Sequence, residues 1–474
     1  MRRVVEKSRF VPDMPRVNRI HFVGVGGSGM CGIAEVLLNQ GYSVTGSDIV
    51  GSGVVRRLVE LGAKVSVGHN ASNVEGSDVV VVSSAVDSEN PEIVEAYRLR
   101  IPVVPRAEML GELMRYRHGI AVAGTHGKTT TTGLITSIFQ AAGLDPTFVV
   151  GGLLKSEGRN AKLGAGKYLI AEADESDASF LFLQPMVAVI TNVDQDHLSA
   201  YDHDFEKLKQ TFIQFVHRLP FYGHVFLCLD DKPAHSLIPE LARPVYTYGL
   251  SAEADFCARD VEYEDSIWRF TIERPRGLRE LNVELPLPGF HNVRNAVAAV
   301  AVATEEGIAD DPIREGLRDF RGVGRRFETR EITVGEKQLT LVDDYGHHPT
   351  EIENVLDTAR RVWPTRRLLM VYQPHRYTRT RDLYDDFVRV LSDVDALILI
   401  EIYSAGEQKI VGADSKSLAA GIRQRSDINP VLVSDPNEAC EMAKKLANQD
   451  DVLIVQGAGN VSRVSAGMET SGFG

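Results

Sequence analysis

Residues Gly119–Thr132 read GIAVAGTHGKTTTT, a strand-like run that enters a glycine loop and then a helical pattern. A lysine at such a helix start, here Lys128, reaches the terminal phosphates of a nucleotide, and the hydroxyl that follows, on Thr129, coordinates magnesium. The loop is two residues shorter than a full Walker A motif, because Val122 stands where the first glycine of that motif belongs. The stretch nevertheless predicts a phosphate-binding loop in an α/β fold rather than an incidental turn.

A second glycine loop lies closer to the amino terminus, in the sequence IHFVGVGGSG. Gly24, Gly26 and Gly29 have the G-x-G-x-x-G spacing between a strand and a helix, where backbone N–H groups approach a diphosphate. Asp48 ends the next predicted strand, where an acidic side chain can bind a ribose. Taken by itself, this loop is compatible with NAD or FAD, with another nucleotide, or with a tight packing turn that binds nothing.

Acidic and polar residues follow two further predicted strands. Glu172 and Asp174 lie on one face of a strand end by period-2 geometry, and the cluster continues through Glu175 and Asp177. The next strand ends in TNVDQDH, which brings His197 to the same expected sheet edge. We predict a magnesium ligand among the carboxylates and a second metal site at His197. The alternatives are a solvated acidic loop and a structural histidine.

A helix and a junction supply the next candidates. Asn292 and Asn295 lie at i and i+3 on a predicted helix, so their amides face one way and can bind the edge of an adenine, or merely form a cap and a polar face. Arg325 and Arg326 stand in GVGRRFE, at the predicted junction with a third domain, where a guanidinium can clamp a phosphate.

Two dense polar stretches lie in the carboxyl-terminal third. The first, VDDYGHHPTE, follows a predicted strand and contains Asp344, Tyr345 and His347. The second, QPHRYTRTRD, follows another strand, and Arg376 and Arg379 share a face suited to a carboxylate if this loop enters the next helix. A basic solvated turn is the alternative for the second stretch.

The order of these patterns predicts an α/β protein of three domains. An amino-terminal Rossmann-like domain of alternating strands and helices covers residues 1–107, and a central domain like the P-loop ATPases covers residues 108–322. A carboxyl-terminal Rossmann-like domain covers residues 323–474, beginning with a hairpin in EITVGEKQLTLVDDYG and ending in a loose tail, ETSGFG. The chain's 474 residues agree with about three domains at ~150 residues each.

Composition excludes several classes of protein. The 52 basic and 65 acidic residues give a net charge of −13, which argues against nucleic-acid binding. Stretches without a charged residue reach only 16 residues, which argues against membrane insertion, and the opening MRRVVEKSRF does not read as a signal peptide. Four widely spaced cysteines read as buried, reduced thiols, so we expect a cytoplasmic protein. These cysteines are Cys31, Cys228, Cys257 and Cys440.

Taken together and in this order, the motifs resemble the Mur ligase family over nearly the whole chain. They are IHFVGVGGSGM, GTHGKTTTT, LIAEADESDASF, TNVDQDH, LPFYG, PGFHNVRNA, GVGRRFE, VDDYGHHPTE, QPHRYTRTRDLYDDF and VQGAGN. The resemblance implies an ATP-dependent ligase that joins L-alanine to the carboxylate of UDP-N-acetylmuramate through an acyl phosphate. It also implies that ATP is a co-substrate, that two Mg²⁺ ions take part, and that the first glycine loop holds the UDP-sugar rather than NAD. We expect a monomer or a weak homodimer.

The resemblance also implies roles for individual residues. Those assigned to ATP are Gly124, Thr125, His126, Gly127, Lys128, Thr129, Thr130, Asn292, Asn295 and Arg326. Those assigned to the UDP-sugar are Gly24, Gly26, Gly27, Ser28, Gly29, Asp48 and Ser84. Tyr345, His347, Arg376 and Arg379 are assigned to the amino acid and the muramyl carboxylate, and Thr129, Glu172 and His197 to the metal. The residues expected to be catalytic are Lys128, His197, Arg326, Asp344 and His347.

Three alternatives remain at this level. A murein-peptide ligase, which attaches a recycled peptide to the same UDP-sugar, shares the phosphate loop. An NAD-dependent oxidoreductase would use GVGGSG but leaves GTHGKTT unexplained. A nucleotide-switched binding protein would form no covalent product.

Overall fold

The computed structural model describes residues 14–83 and 85–469. Ser84, the opening MRRVVEKSRF and the last five residues of the predicted tail lie outside the described residues, and of Ser28 and Glu469 only the backbone is described. The chain forms two compact units. The first comprises residues 14–286 and 292–322, and the second comprises residues 287–291 and 323–469.

The amino-terminal part of the first unit is a five-stranded parallel sheet with the order β3-β2-β1-β4-β5. This order is that of a dinucleotide-binding fold, as the alternating pattern predicts. The central strands are buried runs of Val, Ile and Phe. The elements are β1 (Arg19–Val23), α1 (Ser28–Asn39), β2 (Ser43–Asp48), α2 (Gly53–Glu60), β3 (Lys64–Val67), β4 (Val79–Val82), α3 (Pro91–Arg98) and β5 (Val103–Pro105).

A ten-stranded mixed sheet follows in the same unit, with the order β15-β14-β13-β12-β11-β10-β6-β9-β7-β8. Strands β13, β12, β11, β10, β6, β9 and β7 run parallel, and antiparallel pairs with β14–β15 and with β8 close the two edges. The elements are α4 (Arg106–Met114), β6 (His118–Ala123), α5 (Lys128–Ala141), β7 (Thr147–Leu154), β8 (Arg159–Lys162), β9 (Tyr168–Glu172), β10 (Val187–Ile190), α6 (Phe205–His217), β11 (His224–Cys228), α7 (Lys232–His235), β12 (Val245–Gly249), β13 (Phe256–Glu264), β14 (Ile267–Glu273), β15 (Leu281–Leu285), α8 (His291–Glu305) and α9 (Asp310–Arg318).

The two sheets of the first unit share a hydrophobic core. Helix α1 buries Met30, Ile33 and Leu37, which recur at the spacing of one helical face. The other face of α1 lies close to β8, because a β-carbon on Gly32 would lie 3.0 Å from the β-carbon of Ala161 in that strand. Helix α1 therefore packs between its own sheet and the β7–β8 hairpin of the larger one.

The second unit contains a six-stranded sheet with the order β16-β17-β21-β18-β19-β20. The predicted hairpin is the antiparallel pair β16–β17, and the other strands are parallel. Apolar clusters cover both faces of the sheet. The elements are β16 (Glu328–Val334), β17 (Lys337–Asp344), α10 (Pro349–Val362), β18 (Leu368–Tyr372), α11 (Tyr377–Asp382), α12 (Tyr384–Leu391), β19 (Ala396–Ile400), α13 (Ser415–Arg425), β20 (Val431–Val433), α14 (Pro436–Leu446), β21 (Val452–Gln456) and α15 (Ser462–Glu469).

Three sheets and their helices thus confirm the predicted α/β class. The polar motifs follow the carboxyl ends of parallel strands: the first glycine loop follows β1, the phosphate loop follows β6, and the stretch VDDYGHHPTE continues from β17. Ligands bind at these ends in open parallel sheets. The four cysteines are buried, as predicted.

Candidate active site

The phosphate loop joins β6 to α5 and requires glycine at two positions. Gly124 has φ 127° and Gly127 has φ 82°, both in the region that favours glycine. A β-carbon on Gly124 would lie 2.1 Å from the Thr191 hydroxyl, and one on Gly127 would lie 2.8 Å from the Asn295 amide oxygen. Glycine at these positions therefore lets the loop pass between the end of β10 and the start of α8.

Lys128 is the first residue of α5, and its ammonium turns back over the loop. It donates to the backbone oxygens of Gly124 at 2.5 Å and Thr125 at 3.2 Å, and to both carboxylate oxygens of Glu175 at 2.8 and 3.0 Å. Burial alone lowers the pKa of Lys128, but the carboxylates of Glu175 and Asp174 outweigh burial and raise it. The ammonium therefore stays charged at the mouth of the loop, where a phosphate would need it.

Glu175, the carboxylate that pairs with Lys128, received no separate role within the acidic cluster in the sequence analysis. Its side chain is 2% exposed. Burial raises the pKa of its carboxyl to about 7, although Lys128 opposes this shift. The sequence signal was present, since Glu175 lies in AEADESD, but the spacing did not show which carboxylate turns toward the lysine.

The tip of the loop is fixed by residues that follow β10. The backbone N–H of His126 donates to Asn192 at 2.8 Å, and its carbonyl accepts from Thr191 at 2.6 Å and from Asn192 at 2.9 Å. The His126 ring lies 3.1 Å from a carboxylate oxygen of Asp194. TNVDQDH therefore holds the phosphate loop in place, a role that its sequence did not reveal.

The two asparagines of α8 are buried beside the same loop. The Asn295 amide donates to the Asn292 amide oxygen at 3.0 Å, and the Asn295 oxygen faces Gly127. Their predicted common face is therefore confirmed. Their binding of adenine remains a prediction.

The three predicted metal ligands lie at the end of β9, in the first turn of α5 and after β10. Glu172 ends β9, which pairs with β6, and its carboxylate accepts from the backbone N–H of Gly151 at 2.5 Å. Thr129 is buried in the first turn of α5. His197 follows β10 with φ 56°, and its ring nitrogen lies 3.4 Å from the carboxylate of Asp196.

The first glycine loop is bound to the end of β2. Gly24 donates through its backbone to Ser47 at 2.9 Å, and Gly26 donates to the Asp48 carboxylate at 2.8 Å. The other oxygen of Asp48 accepts from the Val50 N–H at 3.1 Å. Asp48 therefore holds the shape of the loop in this structure. Its contact with the UDP-sugar stays a prediction.

In the second unit, Asp344 is a buried anchor at the end of β17. Its carboxylate accepts from the backbone N–H groups of Gly346 at 2.7 Å and Phe327 at 2.8 Å, and from the Gln456 amide at 3.2 Å. Burial raises its pKa, an effect that the nearby Arg326 opposes. The Arg326 guanidinium lies 3.5 Å from the Glu351 carboxylate and 5.4 Å from the centre of the Tyr345 ring.

Aromatic and imidazole rings form a row after β17, β18 and β19. The rings of Tyr345 and His347 lie 5.6 Å apart edge to face, and those of His347 and His375 lie 5.6 Å apart. The His375 ring stacks on Tyr403 at 5.5 Å. His375 lies in the stretch QPHRYTRTRD, where no role was predicted for it, and Tyr403, which is distant in the chain, was missed.

The two predicted carboxylate-binding arginines differ in environment. Arg376 precedes α11 with φ 71°, so the expected helical face shared with Arg379 does not form. Arg376 lies 3.8 Å from Glu407, whereas Arg379 is 6% exposed and donates to the His375 carbonyl at 3.3 Å. Within the second unit, Arg379 therefore joins the row of rings and Arg376 turns toward a different carboxylate.

Three domain models of one protein family match this chain in succession. The Mur ligase family catalytic domain matches residues 19–118, the Mur ligase middle domain matches residues 122–303, and the glutamate ligase domain of Mur ligases matches residues 325–459. The fold and the phosphate loop are those of a nucleotide-dependent α/β ligase. The chain belongs to the Mur ligase family, whose members are ATP-dependent ligases.

Solved structures agree with this assignment. The chain is similar to the UDP-N-acetylmuramate–alanine ligase MurC from Thermotoga maritima, with 29% identity, a TM-score of 0.79, and coverage of 94% of this chain and 97% of that one. It shares the fold of a murein peptide ligase from Psychrobacter arcticus, with 23% identity, a TM-score of 0.72, and coverage of 96% and 98%. A UDP-N-acetylmuramate:L-alanyl-gamma-D-glutamyl-meso-diaminopimelate ligase from Neisseria meningitides has 25% identity and a TM-score of 0.60, covering 65% and 100%.

Hydropathy adds one observation about membranes. Across residues 14–83 and 85–469, every helix falls short of the length and apolar character that a bilayer crossing requires.

Proposed function

We propose that this protein is an ATP-dependent ligase that joins L-alanine to the carboxylate of UDP-N-acetylmuramate, in the synthesis of peptidoglycan precursors. The observation that carries the proposal is the position of Lys128, whose ammonium lies over a glycine loop at the carboxyl end of a parallel strand. Similarity to the alanine ligase from Thermotoga maritima over 94% of the chain supports the choice of substrate.

Under this proposal the phosphate loop binds ATP. Lys128 leaves Glu175 for the terminal phosphates, and the buried amides of Asn292 and Asn295 bind the adenine. The first glycine loop takes the diphosphate of the UDP-sugar at the start of α1, where backbone N–H groups and the helix dipole favour an anion. Asp344, Arg326 and the row of rings from Tyr345 to Tyr403 belong to the second unit, to which we assign recognition of the amino acid.

The donor set beside the phosphate loop fits magnesium. Glu172 offers a carboxylate at the end of β9, and Thr129 offers a hydroxyl in the first turn of α5. Both are oxygen ligands, which Mg²⁺ prefers, and His197 is the candidate for a second ion. When bound, magnesium would neutralise phosphate charge during transfer.

The proposed chemistry overcomes the poor reactivity of a carboxylate. An oxygen of the muramyl carboxylate attacks the γ-phosphorus of ATP, the bond to ADP breaks, and an acyl phosphate forms. The amine of alanine then attacks the acyl carbon, loses its proton, and expels phosphate as the amide forms. Lys128 would lower the repulsion between the anionic carboxylate and the anionic triphosphate, so positioning and charge neutralisation account for most of the catalysis.

A murein-peptide ligase is the second candidate, because two of the similar structures carry that activity in their names. The deciding experiment measures ADP release with UDP-N-acetylmuramate and, in turn, alanine, glycine, serine and a tripeptide. Alanine-dependent release with an amide product in the mass spectrum supports the proposal, whereas release only with the tripeptide selects the second candidate. Absorbance changes of a nicotinamide would instead indicate an oxidoreductase, and ATP binding without any product would indicate a nucleotide-switched protein.

A variant tests the phosphate loop directly. Lys128→Ala should lower alanine-dependent ADP release by about 10²-fold or more, because one contact to developing charge is worth about that much. Lys207→Ala is the matched control, since Lys207 is a half-exposed lysine on α6 that pairs with Asp202. Wild-type release by a folded Lys128→Ala protein would refute the proposal. Cytoplasmic location and a monomeric or weakly dimeric state remain predictions.

A further inference from the structure

Arg106, the first residue of α4, packs against the first glycine loop. A β-carbon on Gly29 would lie 2.5 Å from a terminal nitrogen of the Arg106 guanidinium and 3.1 Å from its Cδ. Glycine at this position in the first turn of α1 therefore leaves the space that the guanidinium fills. Neither the loop spacing nor the family motifs assign Arg106 a role.

On its other side, Arg106 has one side-chain hydrogen bond within the part of the chain that the structure describes. A terminal nitrogen donates to one carboxylate oxygen of Asp174 at 3.3 Å, and the two side chains are 24% and 40% exposed. One long contact between partly exposed groups contributes little to stability. Asp174 also has the Lys128 ammonium as a second cationic neighbour.

Arg106 also lines a cavity of about 260 Å³ beside the same loop. Val86 forms part of its wall, and the Val86 methyl lies 3.4 Å from the place of a β-carbon on Gly24. Ser83, Asp177 and Ser179 add polar groups to the lining. Arg106 thus adjoins both the loop and a cavity beside it.

We propose that Arg106 binds the diphosphate of the sugar nucleotide and that Asp174 holds Arg106 only while that ligand is absent. The proposal rests on the proposed function, which places the diphosphate at the first glycine loop. A diphosphate offers the planar guanidinium two charge-assisted hydrogen bonds in place of the single contact with Asp174. The ligand is the sugar nucleotide rather than ATP, because Arg106 packs on the first loop and Lys128 on the second.

The test measures binding by titration calorimetry at fixed salt. In Arg106→Gln, the Kd for UDP-N-acetylmuramate and for UDP should rise about ten- to hundredfold, the size expected for a charged hydrogen bond, while the Kd for magnesium ATP stays within about twofold. In Asp174→Asn, the Kd for both uridine nucleotides should fall several-fold, because the competing partner is weakened. Arg98→Gln on α3 is the control, since Arg98 is exposed and pairs with Glu95.

A higher Kd for UDP in Arg106→Gln together with a lower Kd in Asp174→Asn would show that Arg106 binds the nucleotide and does not merely hold the loop. Arg106→Gln that binds UDP like the wild type, or that loses UDP and magnesium ATP equally, would overturn the inference. Weaker UDP binding by Asp174→Asn would also overturn it, because the pair would then merely hold the loop. A wild-type protein that fails to bind UDP-N-acetylmuramate would instead contradict the proposed function.

Discussion

The ammonium of Lys128 lies 2.8 Å from the carboxylate of Glu175, and the two side chains are only 16% and 2% exposed. A buried ion pair contributes little by itself, but the loss of one partner leaves an uncompensated charge. In the proposed reaction the phosphates of ATP would replace Glu175 as the partner of Lys128. The pair therefore links the stability of the folded chain to occupancy of the phosphate loop.

Glu175→Gln should lower the free energy of unfolding by about 1 kcal/mol or less near pH 7, because burial raises the pKa of the Glu175 carboxyl to about 7 and part of its charge is already absent there. Bound ATP supplies negative charge at the same place. The rise in Tm on addition of magnesium ATP should therefore be larger in the variant than in the wild type. Thermal unfolding with and without magnesium ATP measures both effects.

The control for this prediction is Glu112→Gln. Glu112 pairs with Arg115 on the surface of α4, where the two side chains are 35% and 50% exposed. Its removal should change stability by less than about 0.5 kcal/mol and leave the effect of nucleotide unchanged. Equal stabilisation of Glu175→Gln and the wild type by magnesium ATP would contradict the prediction.

Gly124→Ala should abolish magnesium ATP binding. The new β-carbon would lie 2.1 Å from the Thr191 hydroxyl, at a φ of 127° that disfavours alanine, so the loop must move away from β10. The hydroxyl is itself needed, since it donates to the His126 carbonyl at 2.6 Å. Calorimetric titration with magnesium ATP measures the loss.

Gly143→Ala is the control for Gly124→Ala, because it introduces backbone strain at a position away from the phosphate loop. Gly143 follows α5 with φ 69°, and a β-carbon there meets open space. The substitution should cost about 1 kcal/mol of stability from the left-handed conformation alone and leave magnesium ATP binding intact. Normal nucleotide binding by Gly124→Ala would show that the loop does not need its close approach to Thr191.

Lowering the pH should destabilise the amino-terminal part of the first unit, because Glu92 becomes protonated. Burial opposes ionisation of this carboxyl, but hydrogen bonds from His21, Ser47, Asn73 and His69 outweigh burial and lower its pKa from 4.5 to about 2. A depressed carboxyl pKa stabilises the fold above the unfolded value and loses that contribution as pH falls. Stability should therefore fall between about pH 4.5 and pH 2, by up to roughly 3 kcal/mol at about 1.4 kcal/mol per pK unit.

The variant Glu92→Gln tests this prediction. The variant should be less stable near pH 6 and should show a smaller loss of stability between pH 4.5 and pH 2 than the wild type, as urea unfolding at each pH would reveal. Glu89→Gln, a neighbouring carboxylate before α3, should leave the wild-type acid profile unchanged. The same acid profile in Glu92→Gln and wild type would assign the acid sensitivity to other groups.

The fold was largely predictable because its signals are local. The predicted strand Ser43–Asp48 and the hairpin β16–β17 formed as expected, since valine runs and glycine turns act within a few residues. Helix α15 is an instructive contrast. Its sequence is poor in helix formers, yet buried Val464 and Met468 hold it against the core. Tertiary packing there outweighs local propensity.

The site was predictable only in part, because several contacts depend on turns between elements. The position of Lys128 follows from its spacing after the loop glycines. The choice of Glu175 as its partner depends on the turn after β9, which buries this carboxylate and leaves Asp177 exposed. Likewise, the spacing of Arg376 and Arg379 predicted a shared helical face. That prediction was wrong, because α11 begins after Arg376.

That difference predicts unequal roles for the two arginines in recognition of the amino acid. Arg379→Gln should raise the KM for L-alanine about tenfold or more, since the buried guanidinium would lose a charge-assisted contact with the substrate carboxylate. Arg376→Gln should have a smaller effect, because Arg376 is 41% exposed and lies 3.8 Å from Glu407. ADP release at varied alanine and saturating magnesium ATP measures the two KM values.

Arg381→Gln is the control for charge alone, since Arg381 is 47% exposed and pairs with Asp382 on the same short helix. Its KM for alanine should match that of the wild type. Because Arg379 is buried, its variant must also be compared by thermal unfolding, and an unchanged KM for magnesium ATP would show that the site remains assembled. If Arg376→Gln raises the KM for alanine more than Arg379→Gln does, the row of rings beside Arg379 does not bind the amino acid, and Arg376 must leave Glu407 to reach it.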